Sequence, residues 1–356
     1  MTRILITGVC GFVGSSLARH LIERNEALAV FGIDNLARPG SETNRCTLGR
    51  MGVTFVHGDI RVASDVAELP QADWVIDAAA NPSVLAGVSG PGTSRQILEH
   101  NLTSLVNVAE YAKAHGAGLI LLSSSRVYSI RKLAALPLAV ENRAFRLDSS
   151  KPLPAGVSEC GIGPEFSTEA PVSLYGGTKL ASEVVALEYG SAFDFPVWIN
   201  RCGVLAGAGQ FGTADQGIFS YWIHSHLRRG PLRYIGFEGA GYQVRDALHP
   251  HDLAELLEAQ MRTARRDGRR IYTAGGGPQN AMSLAQLTAW CDSRFSPHAP
   301  VPDPRPRRFD VPWIAMDNSD AARDFGWLPK TTLPEILEQI AGHAGRHPEW
   351  LELSGA

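Results

Sequence analysis

Three polar side chains have the types and the order that proton transfer to or from an alcohol requires. Tyr175 and Lys179 are four residues apart in a helical pattern, so both side chains lie on one face of the helix. A lysine ammonium beside a phenol favours the phenolate form, which makes Tyr175 a competent acid–base near neutral pH. Ser124 ends a strand pattern, and its hydroxyl can hydrogen-bond an alcohol or a carbonyl and direct the proton toward Tyr175. These three candidate catalytic residues indicate an enzyme.

A glycine-rich turn near the start of the chain predicts a dinucleotide site. Gly8, Gly11 and Gly14 are spaced at three-residue intervals where a strand pattern gives way to a helical one, with Phe12 and Val13 between them. Glycines let the backbone approach a pyrophosphate, and a helix N-terminus supplies N–H donors and the positive end of the helix dipole. The spacing is a variant of the dinucleotide-binding fingerprint. By itself such a turn can also be purely structural.

A carboxylate follows this turn at the separation expected for NAD. Asp34 lies twenty residues after Gly14, at the end of the second strand pattern, where a carboxylate accepts hydrogen bonds from ribose hydroxyls. Because a carboxylate there repels a 2′-phosphate, NAD is favoured over NADP, and Arg38 keeps NADP open as the alternative. Further cofactor contacts are predicted after the second, third and fourth strands, at Asn35, Asp59, Ile60, Ala78, Ala79 and Ala80.

Short β-rich runs alternate with helical patterns over the first two hundred residues. This alternation predicts βαβ units and a parallel sheet that is buried on both faces. We therefore predict an α/β fold, a Rossmann-type doubly wound parallel sheet with a smaller, mostly helical C-terminal substrate domain. The candidate strands are residues 3–7, 29–33, 53–56, 74–76, 118–122 and 197–200, and the candidate helices are 12–24, 94–115, 174–189 and 333–343.

These residues resemble the extended short-chain dehydrogenase/reductases, specifically the NAD-dependent nucleotide-sugar epimerases and dehydratases. The resemblance rests on the glycine turn, Asp34 and the three candidate catalytic residues, and it covers nearly the whole chain. It implies an NAD-binding Rossmann core, a C-terminal domain that binds a nucleotide-diphosphate sugar, and a homodimer formed through two core helices. It also implies a cofactor contact at Asn101, in the helix after the fourth strand.

The resemblance implies a division into two domains. The NAD-binding domain is expected at residues 1–203 plus about 235–275, and the sugar-nucleotide-binding domain at about 204–234 plus 276–350. Residues 129–171 are rich in Pro, Gly and Ser and are predicted to form a lid-like insertion beside the active site, since long loops inside compact domains are usually functional or disordered.

Within this family the chain is most similar to 2-epimerases that act on CDP-linked sugars. Residues 124–128, 156–159, 210–211 with 215–217, and 243–249 carry this similarity. By resemblance Arg245 and Arg307 clamp the nucleotide diphosphate, a role that suits the planar guanidinium fork. Arg307 is equally well explained as a surface residue of a Pro- and Arg-rich loop. The other implied substrate-binding residues are Arg126, Gln216 and Gln243.

The resemblance also separates two reactions. Hexose 4,6-dehydratases place an Asp-Glu pair directly after the catalytic hydroxyl, whereas Ser125 and Arg126 follow Ser124 here. Elimination of water is therefore disfavoured. The expected reaction is epimerisation, with C2 favoured: a ring hydroxyl is transiently oxidised and hydride returns to the opposite face. The alternatives are a UDP-sugar 4-epimerase, a net nucleotide-sugar oxidoreductase and a non-catalytic NAD-binding regulator.

Composition argues against several other classes of protein. The 33 basic and 36 acidic residues give a net charge of -3, with 44% apolar and 19% charged residues, a profile typical of a globular enzyme. This balance provides no general attraction to nucleic acid or to anionic lipid. The one basic cluster is expected to be the solvated end of a helix and comprises Arg262, Arg265, Arg266, Arg269 and Arg270.

Targeting signals and metal sites are not expected either. No run of eighteen apolar residues predicts a membrane span, and the N-terminus lacks the pattern of a signal peptide. The five cysteines are scattered without the spacing of a zinc site, so no metal is predicted. A reduced, cytoplasmic enzyme is the resulting expectation.

Overall fold

The computed structural model describes residues 1–88, 93–263 and 268–356. The strands are β1 (Thr2–Thr7), β2 (Leu28–Asp34), β3 (Thr54–His57), β4 (Trp74–Asp77), β5 (Gly118–Ser124), β6 (Leu138–Glu141), β7 (Ala144–Leu147), β8 (Val157–Ser158), β9 (Gly161–Ile162), β10 (Val197–Cys202), β11 (Val204–Leu205), β12 (Arg233–Ile235), β13 (Val244–Leu248), β14 (Ile271–Ala274), β15 (Ala281–Ser283), β16 (Val301–Asp303) and β17 (Trp313–Ile314). The α-helices are α1 (Phe12–Arg24), α2 (Glu42–Arg50), α3 (Ala63–Ala67), α4 (Ser94–Leu98), α5 (Ser104–His115), α6 (Ile130–Ala134), α7 (Ser173–Phe193), α8 (Ile218–Leu227), α9 (Pro250–Arg262), α10 (Leu284–Arg294), α11 (Ser319–Phe325), α12 (Leu333–Arg346) and α13 (Trp350–Leu353).

The chain forms two compact units. Unit 1 comprises Met1–Val127, Leu174–Arg201 and Pro250–Tyr272, and unit 2 comprises Tyr128–Ser173, Cys202–His249 and Thr273–Ala356. Residues 129–171 and 235–249, which were predicted as parts of the NAD-binding domain, group with unit 2. For residues 235–249 the reason is strand pairing, because β13 pairs with β11, β15 and β17 in a separate sheet.

Unit 1 is built on a seven-stranded sheet in the order β14-β10-β5-β4-β1-β2-β3. The strand β1 pairs in parallel with β2 and β4, and the pairs β2–β3 and β4–β5 are also parallel. The strand order reverses between β1 and β4, and in sheets of this kind ligands bind outside the carboxyl ends of the strands at that point. The predicted Rossmann-type fold is confirmed.

The core of unit 1 follows from the apolar strands. Leu5, Ile33, Val75, Leu119 and Ile199, one from each of five strands, all lie in one buried cluster with side chains of α5 and α7. A parallel sheet covered on both faces needs such continuous apolar runs, because neither face meets water. Several of the candidate site residues follow the ends of these buried strands.

Unit 2 combines helices with short strands. β11, β13, β15 and β17 form a four-stranded sheet, and α8, α10 and α12 contribute Trp222, Leu287 and Ile336 to one buried cluster. Both α10 and α12 begin with a capping box. The side chain of Ser283 or Thr332 accepts a hydrogen bond from the backbone N–H of the residue three positions later. The helix predicted at 333–343 is confirmed as α12. The strands were not predicted, since segments this short leave no periodic signal.

Residues 129–171 are not one long loop. They contain α6 and the antiparallel hairpins β6–β7 and β8–β9. Their backbone is tied to the remainder of unit 2: Phe145 N–H donates to the carbonyl of Tyr242 at 3.0 Å and Ile162 N–H to that of Ala315 at 2.8 Å. The lid-like role predicted for this segment stays a prediction.

The basic cluster near residue 262 is only partly the solvated helix end that was expected. Arg262 is the last residue of α9 and is exposed, pairing with Glu258 at 3.1 Å. Arg270 departs from the expectation, because its guanidinium carbon lies 4.9 Å from the centre of the Trp198 ring. Arg265 and Arg266 lie outside the described residues.

No helix in the described ranges combines the length and the apolar character that a membrane crossing needs. The five cysteines all lie in the described ranges and none of them forms a disulfide; Cys10, Cys202 and Cys291 are buried.

Unit 2 buries a histidine whose ring is not hydrogen-bonded. His224 on α8 is fully buried, neither ring nitrogen has a hydrogen-bond partner within the described chain, and its ring lies 5.7 Å from that of His343. Burial lowers the pKa of His224 to about 3. An unfolded histidine titrates near pH 6.5, so protonation favours the unfolded state and stability is lost as the pH falls below that value.

We expect replacement of His224 by leucine to reduce the acid sensitivity of the fold. Between pH 7 and pH 4.5 this buried imidazole accounts for a loss of about 2.5 kcal/mol in the free energy of unfolding, which His224→Leu should avoid. Urea unfolding at both pH values measures the difference. His115→Leu, at a partly exposed position, serves as the control. An equal pH dependence in His224→Leu and wild type would contradict the expectation.

Candidate active site

The turn between β1 and α1 has no room for a side chain at Gly8, nor does α1 at Gly14. Gly8 has a φ of +65°, and a Cβ there would lie 2.9 Å from the Cα of Ala79. A Cβ on Gly14 would lie 2.2 Å from the carbonyl oxygen of Gly8, and Gly11 N–H donates to that same oxygen at 3.0 Å. The turn therefore holds the end of β1, the start of α1 and the residues after β4 in close approach.

The start of α1 supplies unused backbone donors. Phe12, Val13 and Gly14 occupy the first turn, where N–H groups have no intrahelical acceptor, and Ser15 N–H is the first to bond back, to Gly11 at 2.9 Å. Across the described residues no side chain caps this helix. Free N–H groups at the positive end of a helix dipole suit a pyrophosphate, so these residues fit a dinucleotide.

The Asp34 side chain stabilises the same turn through hydrogen bonds. Its Oδ2 accepts from Cys10 N–H at 2.9 Å and its Oδ1 from Leu36 N–H at 2.8 Å. Burial raises the pKa of Asp34, while these backbone donors act in the opposite direction. The side chain is only partly buried, which leaves it compatible with the predicted ribose contact.

A polar network follows β2 and β3. Asn35 Nδ2 donates to Asp59 Oδ2 at 2.9 Å, and Arg61 Nη2 donates to the same oxygen at 2.6 Å. The hydrogen-bonded Arg61 holds the pKa of Asp59 well below its usual range, so Asp59 is a carboxylate. The next residue, Ile60, packs against the core of unit 1 and accepts from Asn107 through its carbonyl at 2.9 Å.

Thr7 and Asp77 join the ends of β1 and β4. Thr7 Oγ1 donates to Asp77 Oδ1 at 2.6 Å and accepts from the N–H groups of Ala78 and Ala79, each at 3.1 Å. Burial raises the pKa of Asp77, which also interacts electrostatically with Lys179. Sequence reasoning missed Thr7 and Asp77. Only the register, which places the two residues opposite each other, could have identified them.

The three candidate catalytic residues belong to unit 1. Ser124 is the last residue of β5, and its Oγ accepts from Arg126 N–H at 3.2 Å. Tyr175 and Lys179 lie one helical turn apart on α7 and are 7% and 2% exposed. A phenol and an ammonium on one buried helix face suit proton transfer, because burial excludes competing water.

Asn101 ties this helix to the turn after β4. It lies in a π-helical turn between α4 and α5, its Oδ1 accepts from Asn81 N–H at 2.8 Å, and its Nδ2 donates to Thr178 Oγ1 at 3.1 Å. Thr178 Oγ1 in turn donates to the Tyr175 carbonyl at 2.8 Å. Asn101 thus positions α7, and its predicted contact with the cofactor stays a prediction.

The predicted substrate-binding residues other than Arg126 lie in unit 2. Arg245 Nη2 donates to Asp310 Oδ1 at 2.7 Å, and Arg307 Nη2 donates to Asp215 Oδ1 at 2.8 Å. Both arginines therefore already have carboxylate partners. Two glutamines complete the set: Gln243 Nε2 donates to the Ile235 carbonyl at 3.4 Å, and Gln216 lies in the turn that precedes α8.

Comparison with known proteins identifies the family. The NAD dependent epimerase/dehydratase family matches residues 4–275. The chain belongs to this family. It is therefore an enzyme of the NAD-dependent nucleotide-sugar epimerase and dehydratase type, and the expectation of NAD as the cofactor is confirmed.

Relatives within the NAD dependent epimerase/dehydratase family carry out different reactions. The chain is 27% identical to CDP-paratose 2-epimerase of Salmonella typhi over 95% of its length and 98% of that protein. It is 28% identical to dTDP-glucose 4,6-dehydratase of Streptomyces antibioticus over 98% of its length and 94% of that protein. A solved structure of UDP-glucose 4-epimerase from Thermotoga maritima shares the fold, with a TM-score of 0.77 at 20% identity over 97% of this chain and 99% of that one.

The glycine turn yields a direct prediction. Gly14→Ala should weaken NAD binding by at least tenfold, because the new Cβ collides with the Gly8 carbonyl and opens the turn, and each 1.4 kcal/mol is about a factor of ten in affinity. Calorimetric titration of the cofactor-free variant with NAD measures this. Gly49→Ala on α2 is the matched control, since nothing lies within 4 Å of its added Cβ. Wild-type affinity in Gly14→Ala would show that the turn does not hold NAD.

Proposed function

We propose that this chain is an NAD-dependent epimerase of a nucleotide sugar, with C2 of the sugar as the favoured centre. One observation carries the proposal: Tyr175 and Lys179 are buried one turn apart on α7, in the same compact unit as Ser124 and the glycine turn. This arrangement supplies an acid–base and a neighbouring cation in the unit whose turn fits a dinucleotide.

Each residue has a defined task in the proposed reaction. NAD, when bound, supplies the acceptor and the donor of hydride. Tyr175 removes the proton of the ring hydroxyl during oxidation and returns it when the ketone is reduced on its other face. Lys179 favours the phenolate through its positive charge, and Ser124 Oγ hydrogen-bonds the sugar oxygen. Because the sugar hydroxyl is first oxidised and the ketone is then reduced by the same hydride, no reduced cofactor accumulates.

Residue chemistry favours epimerisation over elimination. The two relatives differ in reaction and have nearly equal identity to this chain, so overall similarity does not separate them. Elimination of water needs an acid and a base beside the departing hydroxyl. At the positions where dehydratases carry Asp-Glu, this chain has Ser125 and Arg126, in a 3₁₀ turn directly after β5. A guanidinium stays protonated at neutral pH and cannot replace a carboxyl acid–base.

The nucleotide end is proposed to bind to unit 2. Arg245 and Arg307 would exchange the carboxylates of Asp310 and Asp215 for the diphosphate, which a planar guanidinium can bind at two oxygens. A cytidine nucleotide is favoured by the similarity to CDP-paratose 2-epimerase. We also propose a cytoplasmic homodimer, and light scattering of the purified protein tests its assembly.

A ligand screen tests the proposed substrate class. Mass spectrometry of co-purifying ligands is combined with melting temperatures measured in CDP-, UDP-, GDP- and dTDP-sugars. We expect a CDP-sugar to raise the melting temperature most and to be converted into its C2 epimer without net NADH. Inversion of a UDP-sugar at C4 would indicate the 4-epimerase, and stoichiometric NADH a net oxidoreductase. If no nucleotide sugar binds, the proposed function is wrong.

Loss of the phenol should stop catalysis and spare binding. Tyr175→Phe is expected to lower kcat by roughly 10²- to 10⁴-fold, the usual contribution of a general acid–base, with NAD affinity within threefold of wild type. Tyr189→Phe is the matched control on α7, because its hydroxyl donates to Glu110 at 2.8 Å on the surface. Unchanged kcat in Tyr175→Phe would remove this residue from the mechanism.

A further inference from the structure

Unit 1 buries an ion pair that the proposed reaction does not use. Arg201 Nη2 lies 2.7 Å from Glu183 Oε2, and Arg201 Nε lies 3.1 Å from each carboxylate oxygen. Ser123 Oγ donates to Glu183 Oε1. Ser123, Glu183 and Arg201, called the buried triad below, are 5%, 1% and 5% exposed.

The buried triad joins the elements that carry the candidate catalytic residues. Ser123 directly precedes Ser124 in β5. Glu183 lies four residues after Lys179 and eight after Tyr175 on α7, so the three side chains share one helix face. Arg201 lies in β10, which is the neighbour of β5 in the sheet. The Glu183 carboxylate thus connects the ends of β5 and β10 to the face of α7 that carries Tyr175 and Lys179.

Burial of this ion pair is costly, and stability alone does not require it. Removing two charges from water carries a desolvation penalty, and apolar side chains of similar volume are often equally stabilising. An ion pair with a hydroxyl donor differs from apolar packing in fixing distances and angles, since its hydrogen bonds are directional. That property is valuable where two groups on different elements must act on one substrate atom.

We propose that Glu183 is a positioning residue for the reaction. Through Ser123 and Arg201 it sets the separation between the end of β5, with Ser124, and the face of α7 with Tyr175 and Lys179. The inference rests on the proposed function, because it takes these three residues as the catalytic set. Glu183 itself does not exchange a proton with the substrate.

The sharpest test removes only the hydroxyl. Ser123→Ala keeps the Glu183–Arg201 ion pair and is expected to lower kcat about tenfold to a hundredfold, the cost of misplaced reacting groups, with KM and NAD affinity within threefold. Ser123→Thr restores the donor and should recover most of the activity. Glu183→Asp keeps the charge but shortens the reach, and should lower kcat in the same way.

A second readout needs no turnover. The ionisation of Tyr175 is followed as the difference in tyrosinate absorbance between each NAD-bound protein and its Tyr175→Phe counterpart. Displacement of the Ser124 hydroxyl from the α7 face should move the midpoint to higher pH in Ser123→Ala and back in Ser123→Thr, because a hydroxyl donor near the phenolate favours the ionised form. If wild type converts no nucleotide sugar, the proposed function fails, whereas this midpoint still tests the positioning role.

The control disturbs a comparable buried contact elsewhere in unit 1. Asn200 and Gln260 exchange two amide hydrogen bonds, each at 2.9 Å, between β10 and α9. Gln260→Leu should lower stability and leave kcat and the Tyr175 midpoint unchanged. The inference is overturned if Ser123→Ala leaves kcat and the midpoint as in wild type. It is also overturned if Gln260→Leu changes both as much as Ser123→Ala does.

Discussion

A steric constraint at the end of β1 underlies the site in unit 1. Gly8 approaches Ala79, after β4, and Gly14 approaches the carbonyl of Gly8 so closely that neither glycine has room for a side chain. This contact brings the N-terminus of α1 to the point where the strand order reverses. A hydrogen bond between Thr7 and Asp77 links the ends of β1 and β4, and Lys179 interacts electrostatically with the Asp77 carboxylate. The glycine turn and α7, which carries the candidate catalytic residues Tyr175 and Lys179, are therefore linked to the same strand ends.

The sequence predicted the parts of unit 1 that have strong local signals. Glycine spacing, apolar strands and a Tyr–Lys pair at helical spacing are local patterns, and the parallel sheet followed from them. Contacts between distant residues leave no such pattern: Ser123 and Glu183 meet across 60 residues. The hairpins of residues 129–171 were also missed, because their strands of two to four residues are too short to show alternation.

Family membership and the proposed reaction rest on different evidence. The match to residues 4–275 places the chain in the NAD dependent epimerase/dehydratase family, whose relatives here include an epimerase and a dehydratase at 27% and 28% identity. The residues after Ser124 are more discriminating, because a serine and an arginine cannot perform the acid–base work of two carboxyl groups. The proposed epimerisation therefore depends on local chemistry as much as on overall similarity.

The most direct test of the central claim follows the hydride. A CDP-sugar deuterated at C2 is mixed with the same sugar carrying ¹³C in the ring and hydrogen at C2, and the epimerised products are separated by mass. If each hydride returns to the sugar that donated it, deuterium stays in the ¹²C product and is absent from the ¹³C product. Deuterium in the ¹³C product, or its loss to free NADH or solvent, would contradict epimerisation on a retained cofactor.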